Sequence, residues 1–167
     1  MSEENKKSSI VFVDYIKAIL RDKNGKIKAV RETNIDAKDT MTNSGFAAIA
    51  GLILSDVGGT AFDFIAIGTG TTAPLPTNTT LEAEVKRKAG VGTRVTISVT
   101  NDTAQLVATF SSEDGLSGQH NITETGMFNS ISGGTMLFRQ TFTAIPCDWD
   151  IGDTLEMIQR IQCKQGS

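Results

Sequence analysis

Between residues 10 and 163 the chain is broken at short intervals by glycine, asparagine, aspartate and proline. Most segments between the breaks alternate apolar with polar residues or run as short β-branched stretches. Successive side chains of a strand point to opposite faces, so period-two patterning between turn residues specifies half-buried strands. The pattern predicts a mainly β fold, an antiparallel β-sandwich or Greek-key barrel, with one short helix near residues 40–55. The 16 glycines and the many threonines suit short strands and tight turns better than long helices.

Ile10–Leu20 and the segment after Gly25 read as a hairpin around Lys23-Asn24-Gly25-Lys26. There Asn-Gly supplies the two positive-φ residues of a type I′ turn. Phe46, Ile49, Ala50 and Ile53 fall at i, i+3, i+4 and i+7, a helical face expected to pack on a sheet. Asp39 or Thr40 is its expected cap and Gly58-Gly59 its end, while Gly45 and Gly51 weaken it. Ala61–Ile67 reads as a buried strand, and "TLEAEVKRK" as a turn or two of helix before Gly90. Thr93–Val99, with Val95, Ile97 and Val99 on one face, pairs with Gln105–Ser111 through a turn at Asn101-Asp102. Asn121–Asn129 and Met136–Ala144 pair around Ser132-Gly133-Gly134-Thr135, with Leu137 pointing away from Phe138, Gln140 and Phe142. A closing strand, Asp153–Cys163, places Leu155, Met157, Gln159, Ile161 and Cys163 on one face.

These elements make one β-rich domain over residues 10–165, preceded by a flexible polar arm at residues 1–9. The arm lacks the apolar stretch of a signal peptide. No run approaches the roughly 18 apolar residues of a membrane span. A net charge of −3 argues against a bulk nucleic-acid footprint. Cys147 and Cys163 do not make a disulfide framework, and a single bridge between them stays open.

The segment "FIAIGTGTTAPLP" poses the sharpest chemical question. Gly68-Thr-Gly70-Thr-Thr-Ala73 after an apolar run matches half of a dinucleotide fingerprint. The other half is a helix whose N-terminus faces the pyrophosphate. Pro74 and Pro76 forbid a clean helix there, and no repeating βαβ units follow. A loop crossing one end of a sandwich is the better reading. His120, the single histidine, stands in the polar "SGQHN" with no nucleophile motif nearby and reads as a solvent-facing loop residue. Zinc lacks its paired ligands. The carboxylates Glu113-Asp114 and Asp148/Asp150/Asp153 read as turn residues bonding local backbone rather than as a hydrolytic pair or a calcium loop. Trp149, between two aspartates, suits either a sugar-binding loop or a cover for the end of the core. Lys86-Arg87-Lys88 is too short for a nucleic-acid site and would suit an acidic neighbouring subunit. No catalytic, cofactor or metal residue emerges.

Taken in order, Ile65–Gly70, Leu81/Glu84/Arg87, Ile122–Phe128, Gly133–Arg139 and Gly152–Leu155 form a set. This set resembles small β-rich virion proteins of tailed bacteriophages and related viruses, with Met127 where leucine is usual. The resemblance spans roughly residues 10–163. It implies a non-enzymatic structural protein of the virion, made in the host cytoplasm and needing no cofactor. Its partners would be copies of itself, expected as a homotrimer, and the major capsid protein or other virion proteins. A capsid decoration protein is the leading expectation, and a tail-fibre or baseplate module binding host glycans the alternative. For such a module Gly68, Gly70 and Trp149 would mark the binding loops. Within the shared motifs, Glu84 or Glu124 is positioned to pair with Arg87 or Arg139 and so to fix the long loop against the sheet or one subunit against the next.

Overall fold

The computed structural model describes residues 9–33, 40–54 and 57–166. Among these residues ten strands form two antiparallel five-stranded sheets facing each other, as in a β-sandwich. The first sheet runs in the order β2 (Ile27–Glu32), β1 (Ile10–Arg21), β10 (Thr154–Gln165), β7 (Thr103–Phe110), β6 (Val91–Val95). The second runs β3 (Thr40–Met41), β9 (Met136–Asp148), β8 (Gln119–Phe128), β4 (Phe64–Gly68), β5 (Glu84–Ala89). A single helix among the described residues, α1 (Asn43–Leu52), packs on β9.

Period two sets the core. Ile16, Ala18 and Leu20 of β1, Leu155, Met157 and Ile161 of β10, and Leu106, Ala108 and Phe110 of β7 face inward. They meet Ile65 and Ile67 of β4, Ile122 and Met127 of β8, and Phe138 and Ile145 of β9. Full burial of each large side chain contributes about 1.5–3 kcal/mol. One polar stitch crosses this core: Gln159 Nε2 donates to Thr125 Oγ1 at 2.9 Å, and that hydroxyl donates to Ala66 O at 2.7 Å. One edge of the sandwich is closed by the chain itself. β5 leaves the second sheet and, after Gly90 alone, becomes β6 of the first. A Cβ at Gly90 would sit 2.6 Å from Leu106 Cγ, so glycine lets the corner press onto the core. On the other edge Arg31 of β2 reaches across to donate to Thr143 O and Ala144 O of β9.

Several local expectations are corrected. The β1–β2 turn is not type I′: only Gly25 has positive φ, and Asp22 Oδ1 instead accepts the N–H groups of Asn24 and Lys26. The carboxylate thus builds an Asx turn that needs one left-handed residue, not two. "EVKRKA" is strand β5, not helix, because it completes the edge beside β4. β6 stops at Val95, since Asp102 gathers the N–H groups of Ile97, Ser98 and Val99 into a loop. Leu137 and Phe138 both join the inter-sheet core where the β8–β9 register slips between Met127 and Phe128. Cys163 is exposed near the end of β10, still paired with β1, rather than buried with its expected face, and neither cysteine is bridged.

The helix holds the largest correction. Its cap is Thr42, whose hydroxyl oxygen accepts from Gly45 N at 2.9 Å. Thr40 lies in β3, and Asp39 lies outside the described residues, as does all of the expected arm before Ser9. The helix meets the sheet through Gly45, where a Cβ would come within 2.5 Å of Leu137 O. Of the apolar stripe, Ile49 is half-buried while Phe46 and Ile53 are exposed.

Candidate functional site

Gly68-Thr-Gly70 closes β4 and opens a long connection, residues 69–83, that lies over the outer face of the second sheet. Beyond the register slip after Ile122, Glu124 and Gly126 of β8 project from that face together with β9's Arg139, since Ala66, Gly126 and Arg139 are register neighbours. Glu124 stands opposite Gly68, and its carboxylate is surrounded by donors. Gly70 N and Ala83 N donate to Oε1 at 3.0 and 2.7 Å; Glu82 N and Arg139 Nε donate to Oε2 at 3.1 and 2.8 Å. The glycine loop therefore does cradle an anion, but that anion is the chain's own Glu124. Cβ atoms at Gly68 or Gly70 would fall 2.5 Å from its Oε1, which is why both positions are glycine.

A second carboxylate ties the outer part of the loop. Glu82 Oε2 accepts from Thr71 N, Thr72 N and Thr72 Oγ1, each at 2.8 Å, and pairs with Arg139 Nη2 at 3.3 Å. The Thr72 N–H and hydroxyl, then the Thr71 N–H and the Arg139 charge, hold its carboxyl below the usual range, against a partial desolvation that pushes the other way. Arg139 Nη1 also reaches Asn78 Oδ1 at 3.4 Å, and Thr123 Oγ1 donates to Gly70 O at 2.7 Å. Under this strap Leu81, Phe128, Met136 and Ala66 form a small apolar cluster apart from the main core.

Arg87 performs a parallel task next door. Its Nε and Nη2 take both oxygens of Glu84 at 3.0 and 2.6 Å, its Nη1 donates to Ser130 O and Gly133 O, and its guanidinium stacks 3.5 Å over the Phe128 ring. The β8–β9 turn is thereby pinned to β5. The structure thus resolves the alternatives left by the sequence: Glu84 with Arg87, and Glu124 with Arg139, both within one chain. Lys88, expected to meet a neighbour, pairs with this chain's Asp114 at 2.6 Å.

Trp149 is 1% exposed and offers no face to a sugar. It plugs the end of the core from a 3-10 turn, Trp149–Ile151, capped by Asp148, and its Nε1 donates to His120 Nδ1 at 3.1 Å. His120 is accordingly half-buried on β8, not a solvent-facing loop residue. Asp153 is buried and paired with Lys28 Nζ at 2.6 Å, while Asp150 accepts from Gly118 N. Burial raises the Cys147 thiol to about 12, so it remains protonated. Among the described residues no three His, Cys, Asp or Glu side chains gather as metal ligands.

At the α1 end the sandwich opens into an apolar cleft of about 490 Å³ between the sheets. Phe12, Leu106 and Ile161 line it from the first sheet, Met127 and Leu137 from the second, and Ile49, Leu52 and Phe62 from the helix and the approach to β4. Neither the cleft nor the part played by Glu82 was legible beforehand. Glu82 carries no local signal that distinguishes it from an ordinary surface acid, and the cleft is assembled from residues of both sheets and the helix that are far apart in sequence. In comparisons with family models, curated proteins and solved structures, nothing matches the chain.

Proposed function

We propose that this chain is a non-enzymatic structural protein of a virion that assembles as copies of itself on the particle, as a capsid decoration protein. The reading starts from the ordered motif set, and one observation supports it above others. The charged and glycine positions of that set, Gly68, Gly70, Glu84, Arg87, Glu124 and Arg139, engage one another across one sheet face. Motif residues spent on holding a loop to a sheet suit a protein whose work is to keep its shape under load. A catalytic site would instead leave such groups open toward a substrate. The tail-fibre or baseplate adhesin reading draws less support, because Trp149 is buried and the Gly68–Gly70 turn is occupied by Glu124.

Quantitative mass spectrometry of purified particles tests this. A copy number comparable with that of the major capsid protein is expected. A handful of copies would move the chain to the tail, and its absence from particles would end the virion reading.

A further inference from the structure

The cleft at the α1 end lies beside a run of exposed apolar side chains. Leu52, on its rim, is followed by Ile53, Leu54 and Val57, and Phe46 stands two turns back on the same helix face as Ile53; all are exposed, Ile53 at 76%. The chain folds back on itself here, since a Cβ at Gly51 would contact Val57 and one at Gly59 would meet Leu52. Leu52 and Val57 are thereby brought close, and Ile53 and Leu54 between them belong to the same exposed apolar knob. Sequence positions 40–64 contain no lysine or arginine. An exposed apolar knob beside an apolar recess offers both halves of a self-complementary surface.

Charge says what seats there. Among the described residues, only two charged ones line the cleft, Asp63 and Arg94, both exposed. Neither makes an ion pair or a side-chain hydrogen bond with another described residue. Water solvates both where they stand, and a purely apolar small molecule would make no use of either charge. A second copy supplies an apolar knob for the recess, an arginine for Asp63 and an aspartate for Arg94. We propose that the α1 end is a self-association surface, on which Ile53 and Leu54 of one copy enter the cleft of another while Asp63 and Arg94 pair across the junction. The inference rests on the assembly reading above for its partner, a second copy, and adds the surface through which copies meet.

Sedimentation velocity of the purified full chain over a wide concentration range tests it. The wild type is expected to exceed the 17.8 kDa monomer. Ile53→Asp, at an exposed position that leaves folding intact by circular dichroism, is expected to weaken association by at least about tenfold. Leu54→Lys serves as the second such variant. Asp63→Arg and Arg94→Asp should each weaken association, and together restore it. A wild type that stays monomeric throughout overturns the proposal. So do an Ile53→Asp or Leu54→Lys protein that associates as wild type does, a charge swap that fails to restore association, and a monomer carrying an apolar small molecule in native mass spectrometry. Copy number in particles reads the virion role separately: a monomer abundant in particles sinks this surface alone, and an oligomer absent from particles sinks the virion role alone.

Discussion

Arg139 Nε lies 2.8 Å from Glu124 Oε2, with the two side chains 2% and 0% exposed, and this pair joins the longest loop of the molecule to its second sheet. Removing one partner of a buried ion pair leaves the other charged and desolvated, a loss of about 3–5 kcal/mol. Glu124→Gln is expected to cost about 3 kcal/mol in urea unfolding, since Glu82 still faces Arg139. Arg139→Met should cost less than that, because three backbone N–H groups continue to hold Glu124. A double-mutant cycle should return a coupling of about 1–3 kcal/mol. A coupling near zero would mean that the strap is held by its apolar underside alone.

Two glycines of α1 should respond oppositely to the same change. Gly45→Ala would drive a Cβ to 2.5 Å from the Leu137 carbonyl oxygen and separate helix from sheet, a loss of about 1–3 kcal/mol. Gly51→Ala meets only Val57, at an ordinary 3.7 Å, and should stabilise by about 0.5–1 kcal/mol through helix propensity. Chemical denaturation midpoints of the two variants compare them directly.

Tyr15 gives the molecule an alkaline limit. Burial, then the hydrogen bond its hydroxyl donates to Glu32, raises its pKa from 10.0 to about 12. A phenol whose folded pKa lies above its unfolded value contributes fully below pH 10 and loses that contribution as pH rises toward 12. Tyr15→Phe should therefore flatten the fall in melting temperature over this window. The acid limb has the opposite sign. Glu32 and Glu82 are held below the usual 4.5, by the Tyr15 hydroxyl and by the Thr72 N–H respectively. Their contribution is present above 4.5 and disappears as pH falls through their lowered values, so Glu82→Gln should reduce the acid slope.

Trp149 is the single tryptophan and is enclosed by the core. Its emission should be blue-shifted in the native protein, move to the red on unfolding, and stay unchanged on titration with saccharides. Trp149→Ala should cost about 3–5 kcal/mol. Quenching of the native emission by a sugar would return the Asp148–Gly152 turn to the list of binding loops.

Much of the architecture was legible because its causes are local. Alternation in Leu155–Ile161 and the glycines around 133 act over a few residues, and the strands and their hairpins follow from them. Errors arose where a distant partner overrode a local preference. "EVKRKA" has good helix formers, yet β4 offers it an edge to complete. Asn24-Gly25 suits a type I′ turn, yet Asp22 supplies the hydrogen bonds of a different one. The apolar stripe of α1 predicted burial, but the helix is attached through Gly45, and the stripe stays largely in solvent.

By itself the sequence determined that this chain builds short antiparallel strands around an apolar interior, since side-chain period and turn chemistry are carried by neighbouring residues. Tertiary structure alone decided what the glycine-threonine turn holds. The carboxylate it encloses comes from Glu124, 54 residues beyond Gly70. Nothing in either segment names the other. Their meeting depends on strand register and on a buried charge collecting every donor within reach.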